Sequence, residues 1–124
     1  MAWRILIVDD NDAVRYSLRR VLEALPQFLI CGEAEDGQQA IEKARQLRPD
    51  AIVLDISMPV LNGLDAAKIL RSMLPDIQIL MFTSFVHAQL PEIVLAVGAS
   101  RVISKSSSPA VLIKALEELL NRAA

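Results

Sequence analysis

Five short apolar runs recur along the chain, and they constrain the fold more than any other feature. They read "ILIV" from residue 5, "FLICG", "AIVLD", "IQILMF" and "RVIS". Each run is short and rich in Ile or Val, which favours a strand that is buried on both faces. The segments between the runs have helical spacing. In the first of them the apolar residues Val14, Leu18, Val21, Leu22 and Leu25 recur on one helix face.

Residues that start and stop helices agree with this alternation. Asn11 or Asp12 can cap the first helix and Asp36 the second, and Ser108 precedes a proline suited to the first turn of the last helix. The fourth helix is predicted from about residue 90 to residue 97, with Gly98 closing it. Five β-α units follow. Strands that are apolar on both faces need helices on both faces, which predicts an α/β, doubly wound, three-layer fold around a parallel five-stranded sheet.

Length and charge exclude several classes of function. The 124 residues fit a single domain, predicted over residues 1–124. A net charge of −2 provides no basic surface, so this domain is not expected to bind nucleic acid itself. The longest stretch without Asp, Glu, Lys or Arg, residues 77–91, is shorter than the ~20 residues of a membrane helix. With no targeting segment recognised, the sequence predicts a soluble, cytoplasmic protein without a membrane partner.

Polar residues follow four of the five apolar runs. Asp9 and Asp10 follow the first, Asp55 ends the third, Thr83 follows the fourth and Lys105 follows the fifth. In open parallel sheets, ligands bind outside the carboxyl ends of the strands. The sequence therefore predicts that these acids, this hydroxyl and this ammonium converge at one edge of the sheet.

The residue types indicate the chemistry of that edge. Three converging carboxylates form a hard, oxygen-rich site that suits Mg²⁺ better than zinc. A carboxylate beside the metal can act as a nucleophile toward phosphorus and form an aspartyl phosphate. Phosphoryl transfer depends mainly on positioning and charge neutralisation, which Mg²⁺ and Lys105 can supply, and the Thr83 hydroxyl can donate to a phosphoryl oxygen.

Several motifs resemble those of response-regulator receiver domains over the whole chain. They are "VDD", "DISMPVLNG" around Asp55, "TS" at Thr83 and "GASRVISK" ending in Lys105. The resemblance implies a CheY-like, flavodoxin-like (βα)5 fold with strand order 2-1-3-4-5. The run from "ICGEAEDGQQ" to "DISMP" is similar to the NarL/LuxR-type subfamily, whose receivers usually precede a helix-turn-helix DNA-binding domain.

The resemblance also implies a role for each site residue. Asp55 is implied to be the phosphoacceptor, with Thr83 and Lys105 contacting the phosphoryl group. The implied Mg²⁺ ligands are Asp10, Asp55 and the backbone carbonyl of Ser57, and Asp9 acts through a water. Gly63 is implied to permit the turn into the third helix. Asp12 is expected only to start the first helix.

The resemblance also implies binding partners and a regulated process. A sensor histidine kinase is the implied phosphodonor. A homodimer through the face made by helix four, strand five and helix five is implied as an output, together with transcription control by a DNA-binding domain outside this chain. The family usually has glycine and an aromatic residue where Arg101 and Val102 stand, so the usual aromatic readout is not expected here.

Two alternatives remain open at the level of sequence. "DNDAV", residues 10–14, matches the D-x-D-x-[TV] motif of haloacid-dehalogenase-like phosphatases, which would make the chain a turnover enzyme. The acids after Thr83 are only Glu92, Glu117 and Glu118, which fits that class poorly. A degenerate receiver that takes no phosphate and acts only as a protein-interaction module is the other alternative. The main prediction is a receiver that is not a turnover enzyme.

Overall fold

The computed structural model describes residues 2–123, in which five strands and five helices alternate. The strands are β1 (Trp3–Val8), β2 (Phe28–Ala34), β3 (Ala51–Leu54), β4 (Gln78–Thr83) and β5 (Arg101–Ser104). The helices are α1 (Asp12–Glu23), α2 (Gly37–Leu47), α3 (Gly63–Met73), α4 (Leu90–Ala96) and α5 (Pro109–Ala123). The predicted alternation is confirmed, and α4 begins where it was expected and ends one residue earlier.

The sheet is parallel throughout, and its strand order is β2-β1-β3-β4-β5. This confirms the doubly wound fold and the order that the resemblance implies. Strands β1 and β3 are neighbours at the centre, where Val8 pairs with Leu54. The backbone N–H of Asp55 donates to the Val8 carbonyl at 3.0 Å. The residues that directly follow these two strands are therefore held side by side.

Each face of the sheet has its own apolar core. Alternate β1 residues divide between them: Leu6 and Val8 pack on one side, Ile5 and Ile7 on the other. The first core contains side chains of α2, α3 and α4, and the second contains side chains of α1 and α5. All four of these β1 residues are at most 1% exposed. Burial on both faces explains why the central strands β1, β3 and β4 are largely apolar without alternation. The edge strands are less buried than predicted: Leu29 of β2 is 48% exposed and all four β5 residues are partly exposed, since each edge strand has a neighbour on one side only.

Side-chain caps fix where three helices begin at the carboxyl edge of the sheet. The Asn11 side chain accepts from the backbone N–H groups of Ala13 and Val14, so Asn11 rather than Asp12 caps α1. Asp36 caps α2 as predicted, and Asn62 caps α3 in the loop that follows β3. Asp12 is the first residue of α1, where a negative charge interacts favourably with the helix dipole.

Among residues 2–123, we find no helix with both the length and the apolar character that crossing a membrane requires.

Gly63 lies where two backbone segments come close together. A Cβ added at this position would be 1.9 Å from the Asp55 carbonyl oxygen and 2.8 Å from the Ile56 Cα. The Gly63 N–H donates to the Ile56 carbonyl at 2.8 Å. The glycine at the start of α3 is thus required by this close approach, and through it α3 is packed directly against the backbone of Asp55.

Replacement of Gly63 by alanine is expected to destabilise the fold strongly. The new methyl group meets backbone that cannot move without displacing Asp55, so Gly63→Ala should lower the free energy of unfolding by at least about 3 kcal/mol. Gly32→Ala is the matched control, because its Cβ would meet only the ends of the Leu47 and Leu6 side chains. That control should change stability by less than about 1 kcal/mol. Urea denaturation measures both, and equal losses would contradict the close-approach explanation.

Candidate functional site

The carboxyl edge of the sheet collects the polar residues that the sequence placed after its strands. Asp9 follows β1, Asp55 follows β3, Thr83 ends β4 and Lys105 follows β5. Thr83 pairs with Ser104 across β4 and β5, and the Lys105 N–H donates to the Thr83 carbonyl at 2.9 Å. The register of β4 with β5 therefore fixes where Thr83 and Lys105 lie along the carboxyl edge of the sheet.

Three carboxylates form a cluster at this edge. One oxygen from each of Asp9, Asp10 and Asp55 lies within 4.8 Å of the other two. Asp9 and Asp55 are buried, whereas Asp10 is exposed. The predicted convergence of these acids is confirmed. A donor set of carboxylate oxygens alone has the chemistry that Mg²⁺ requires, and one exposed member leaves the cluster open to solvent.

The Lys105 ammonium bridges the two buried acids. Its Nζ lies 2.6 Å from Asp9 Oδ2 and 3.1 Å from Asp55 Oδ2. Burial alone would lower the pKa of Lys105, but the hydrogen bonds to Asp9 and Asp55 outweigh burial and raise its pKa above the ordinary value. Lys105 therefore carries its charge throughout the physiological range, directly between the two carboxylates.

Asp55 is held by contacts to both of its carboxylate oxygens. Oδ1 accepts from the backbone N–H of Ile56 at 2.8 Å, and Oδ2 accepts from Lys105. Burial raises the pKa of Asp55 above its ordinary value; the hydrogen bond from Lys105 opposes this rise, and the Asp9 charge adds to it. The carboxylate thus has a defined orientation in an environment that favours a reduction of its negative charge.

Thr83 is completely buried at the end of β4. Its Oγ1 accepts a hydrogen bond of 3.3 Å from the backbone N–H of Phe85. Phe85 itself is 66% exposed, in the segment between β4 and α4. The hydroxyl is therefore linked to a segment that carries a large apolar side chain in solvent. Ser57 lies two residues after Asp55 and is exposed at the same edge.

The two positions that differ from the family pattern have structural roles in β5. Val102 is partly buried and packs against the core on the α2–α4 side of the sheet. Arg101 Nη1 lies 3.2 Å from Glu118 Oε2 on α5. A valine cannot rotate a ring between two positions, so this strand has no aromatic side chain to report on Thr83.

Sequence reasoning missed one buried side chain beside the site, that of Arg15. Its residue exposure is 8%, and Nη1 donates to the Asp9 carbonyl at 2.5 Å. The guanidinium also pairs with acids that include Glu33 and Glu35. The sequence did contain an indication of this pairing. Glu33 and Glu35 lie at and just after the end of β2, where an arginine of α1 can compensate their charge.

Comparison with known proteins agrees with this geometry. The response regulator receiver domain family matches residues 5–117 of the chain. The transcriptional regulatory protein LnrK of Bacillus subtilis is 38% identical over 113 residues, which are 91% of this chain and 51% of that protein. The chain spans about half the length of the first curated relatives that it matches.

Solved structures match over nearly the whole chain. A LuxR-family two-component response regulator from Aurantimonas has a TM-score of 0.93 at 33% identity, covering 98% of this chain and 86% of that chain. The signal receiver domain of NarL from Mycobacterium tuberculosis has a TM-score of 0.92 at 26% identity, covering 97% of each chain. The CheY-like fold and the family resemblance are thereby confirmed. The chain belongs to the response regulator receiver domain family of two-component systems.

Proposed function

We propose that residues 1–124 form one receiver domain that accepts a phosphoryl group on Asp55 from a sensor histidine kinase, in a reaction that requires Mg²⁺. One observation carries this proposal above the others. The Lys105 ammonium contacts both Asp9 and Asp55, and the Asp10 carboxylate completes a cluster around them. A nucleophilic carboxylate, a fixed cation and an oxygen-rich metal pocket are the groups that phosphoryl transfer to an aspartate needs.

Some of these acids would bind the metal directly, and one would bind it through a water molecule. Asp10, Asp55 and the backbone carbonyl of Ser57 are the proposed direct ligands, and Asp9 is proposed to act through a water. When bound, Mg²⁺ supplies positive charge against the phosphoryl oxygens. The cluster supports this assignment because its donors are all hard oxygens.

The chemical step makes one bond and breaks one. A carboxylate oxygen of Asp55 bonds to phosphorus while the bond from phosphorus to an imidazole nitrogen of the kinase breaks. The electron pair leaves with the imidazole, which takes up a proton. Lys105 neutralises charge on the transferred group, and the Thr83 hydroxyl donates to one of its oxygens. The domain promotes its own phosphorylation and is not a turnover enzyme.

The output begins at Thr83. Its hydroxyl now accepts from the Phe85 N–H, and a hydroxyl that turns toward a phosphoryl group leaves that N–H without this partner. Because Val102 replaces the usual aromatic residue of β5, the segment at Phe85 is the proposed reporter of the phosphorylated state. The α4–β5–α5 face would then change, favouring a homodimer.

The regulated process is proposed to be transcription. LnrK is a transcriptional regulatory protein and is about twice as long as this chain, which is consistent with a DNA-binding domain outside it. The domain itself has a net charge of −2, which does not favour contact with nucleic acid.

Phosphorylation itself can be tested chemically. With acetyl phosphate and Mg²⁺, mass spectrometry should find one phosphoryl group on Asp55, whose carboxylate is oriented by Lys105 and by the Ile56 N–H beside the other two acids. Asp55→Asn should lose the label, while Asp12→Asn should keep it.

Other labelling patterns would select the alternatives. A phosphoryl group on Asp10 would favour the phosphatase reading of "DNDAV", although Asp12, the second acid of that motif, pairs with Arg15 instead of joining the cluster. No label on the wild-type chain would favour the degenerate module. If Asp55→Asn takes up as much phosphoryl label as the wild-type chain, the proposal is refuted.

Metal binding should depend on Asp10. At a Mg²⁺ concentration of a hundred times the dissociation constant, the wild-type chain should gain about 2.7 kcal/mol of unfolding free energy. Asp10→Asn should lose most of this gain, yet be at least as stable as wild type without metal, because one of three like charges is removed.

Chemical denaturation in MgCl₂ and in NaCl of equal ionic strength measures this difference. Asp76→Asn is the matched control, since it removes an exposed aspartate just before β4, at the opposite edge of the sheet. It should keep the full Mg²⁺ gain. A full gain in Asp10→Asn as well would exclude Asp10 as a ligand.

The proposed output predicts a fluorescence signal near Thr83. Phe85→Trp places an indole at an exposed position, so folding should tolerate it. Its emission should change when acetyl phosphate and Mg²⁺ are added, because the Phe85 N–H loses the Thr83 hydroxyl. The native Trp3, at the start of β1, provides a constant background.

Two control variants isolate the cause of that signal. Thr83→Ala in the Phe85→Trp background should abolish the change. Leu29→Trp, at a 48% exposed position on β2, should show none. A Phe85→Trp signal that does not respond to phosphorylation, while Asp55 is labelled, would rule out this route of output.

A further inference from the structure

A buried arginine beside the acidic cluster has no part in the proposed reaction. Arg15 is in the first turns of α1, and its side chain is only 10% exposed. A buried guanidinium is costly unless its donors are satisfied. Three carboxylates pair with it: Asp12 in the same helix, Glu33 Oε1 at 3.3 Å and Glu35 Oε1 at 3.6 Å. Its charge is thereby compensated locally.

One further contact reaches the backbone of the site. Arg15 Nη1 donates to the carbonyl oxygen of Asp9 at 2.5 Å. That carbonyl belongs to the peptide unit joining Asp9 to Asp10, and a peptide unit is planar. Fixing its oxygen therefore fixes the direction in which the chain leaves Asp9 and the place of the Asp10 Cα. Arg15 thus ties this peptide to the end of β2 through Glu33.

The two acids joined by this peptide are held very differently. The Asp9 carboxylate accepts from Lys105 and from the backbone N–H of Asn11 at 2.9 Å. Within residues 2–123, the Asp10 carboxylate has no hydrogen bond or ion pair, and it is exposed. Repulsion from the Asp9 and Asp55 carboxylates favours a position of the Asp10 carboxylate further from them. With no side-chain partner for it among the described residues, the backbone is what keeps Asp10 close to the other two acids.

We propose that Arg15 is a positioning residue for the metal site: by holding the Asp9–Asp10 peptide, it keeps the Asp10 carboxylate within reach of the other two before a cation arrives. This inference rests on the proposed function, since it assigns a role toward the proposed Mg²⁺ site. Groups that orient metal ligands without touching the metal affect metal affinity in this way.

Arg19 provides a matched control on the same helix. It lies one turn further along α1 and pairs with Glu33 and Glu23, each at 2.5 Å. Its described contacts do not include the backbone of residues 9–12. Both arginines therefore place one positive charge against Glu33, but of the two it is Arg15 whose described contacts include the Asp9–Asp10 peptide.

Isothermal titration of the whole chain with MgCl₂ distinguishes geometry from charge. Arg15→Met should weaken Mg²⁺ binding by about tenfold. Arg19→Met should leave it within about twofold. A role of Arg15 through charge alone predicts the opposite sign, because removing a cation near three carboxylates should tighten Mg²⁺ binding. A purely structural role would lower stability without altering the affinity of the folded protein, so circular dichroism must first establish that each variant is folded.

Arg15→Lys extends the test to a variant that keeps the charge. A single ammonium cannot satisfy the carbonyl and the flanking acids together, so affinity should fall by at least about threefold. Unchanged or tighter Mg²⁺ binding in Arg15→Lys, or in folded Arg15→Met, would overturn this inference while leaving the proposed function intact. Absence of Mg²⁺ binding by the wild-type chain would overturn both.

Discussion

The ammonium of Lys105 lies between two buried carboxylates, and the arrangement of the carboxyl edge depends on this contact. Asp9 and Asp55 are placed side by side by the pairing of β1 with β3, so their repulsion is built into the strand register. One cation supplied by the end of β5 compensates two anions, and Asp10 adds a third. The cluster retains excess negative charge. A divalent cation relieves the repulsion that the strand register imposes on these carboxylates.

The loop after β3, which borders this site, contains a residue with an unfavourable backbone conformation. Val60 has a φ of 68°, a left-handed conformation that β-branched residues rarely adopt, and it is 81% exposed. Such a residue costs on the order of 1–3 kcal/mol, and the surrounding contacts must offset it. The N–H of Gly63 bonds to Ile56, and the Asn62 side chain caps α3. The loop that carries Ser57 is thereby closed tightly onto Asp55.

Two side-chain hydrogen bonds link the site to neighbouring segments, in addition to the backbone bonds of Asp55 and Lys105. On one side Arg15 connects the Asp9–Asp10 peptide to acids at the end of β2. On the other, Thr83 connects the edge to the exposed segment at Phe85. The first link lies on the β1 side of the cluster and the second on the β4 side. Both links end on a backbone group, the Asp9 carbonyl for Arg15 and the Phe85 N–H for Thr83.

The sequence by itself determined the elements of this protein and which polar residues meet at the carboxyl edge of its sheet. The continuous apolar runs indicated a parallel sheet covered on both faces, and polar residues that follow parallel strands lie at one edge, so local pattern was enough for both. The strand order was available from the resemblance and not from the pattern. The sequence also named Asn11 and Asp12 as candidate caps of α1, and the choice of Asn11 is a local contact. Tertiary structure alone decided that Gly63 is needed for a close approach to Asp55 and that Arg15 is buried against Glu33. Each of these depends on which groups meet across space, and a one-dimensional pattern records the residue type but not its partner.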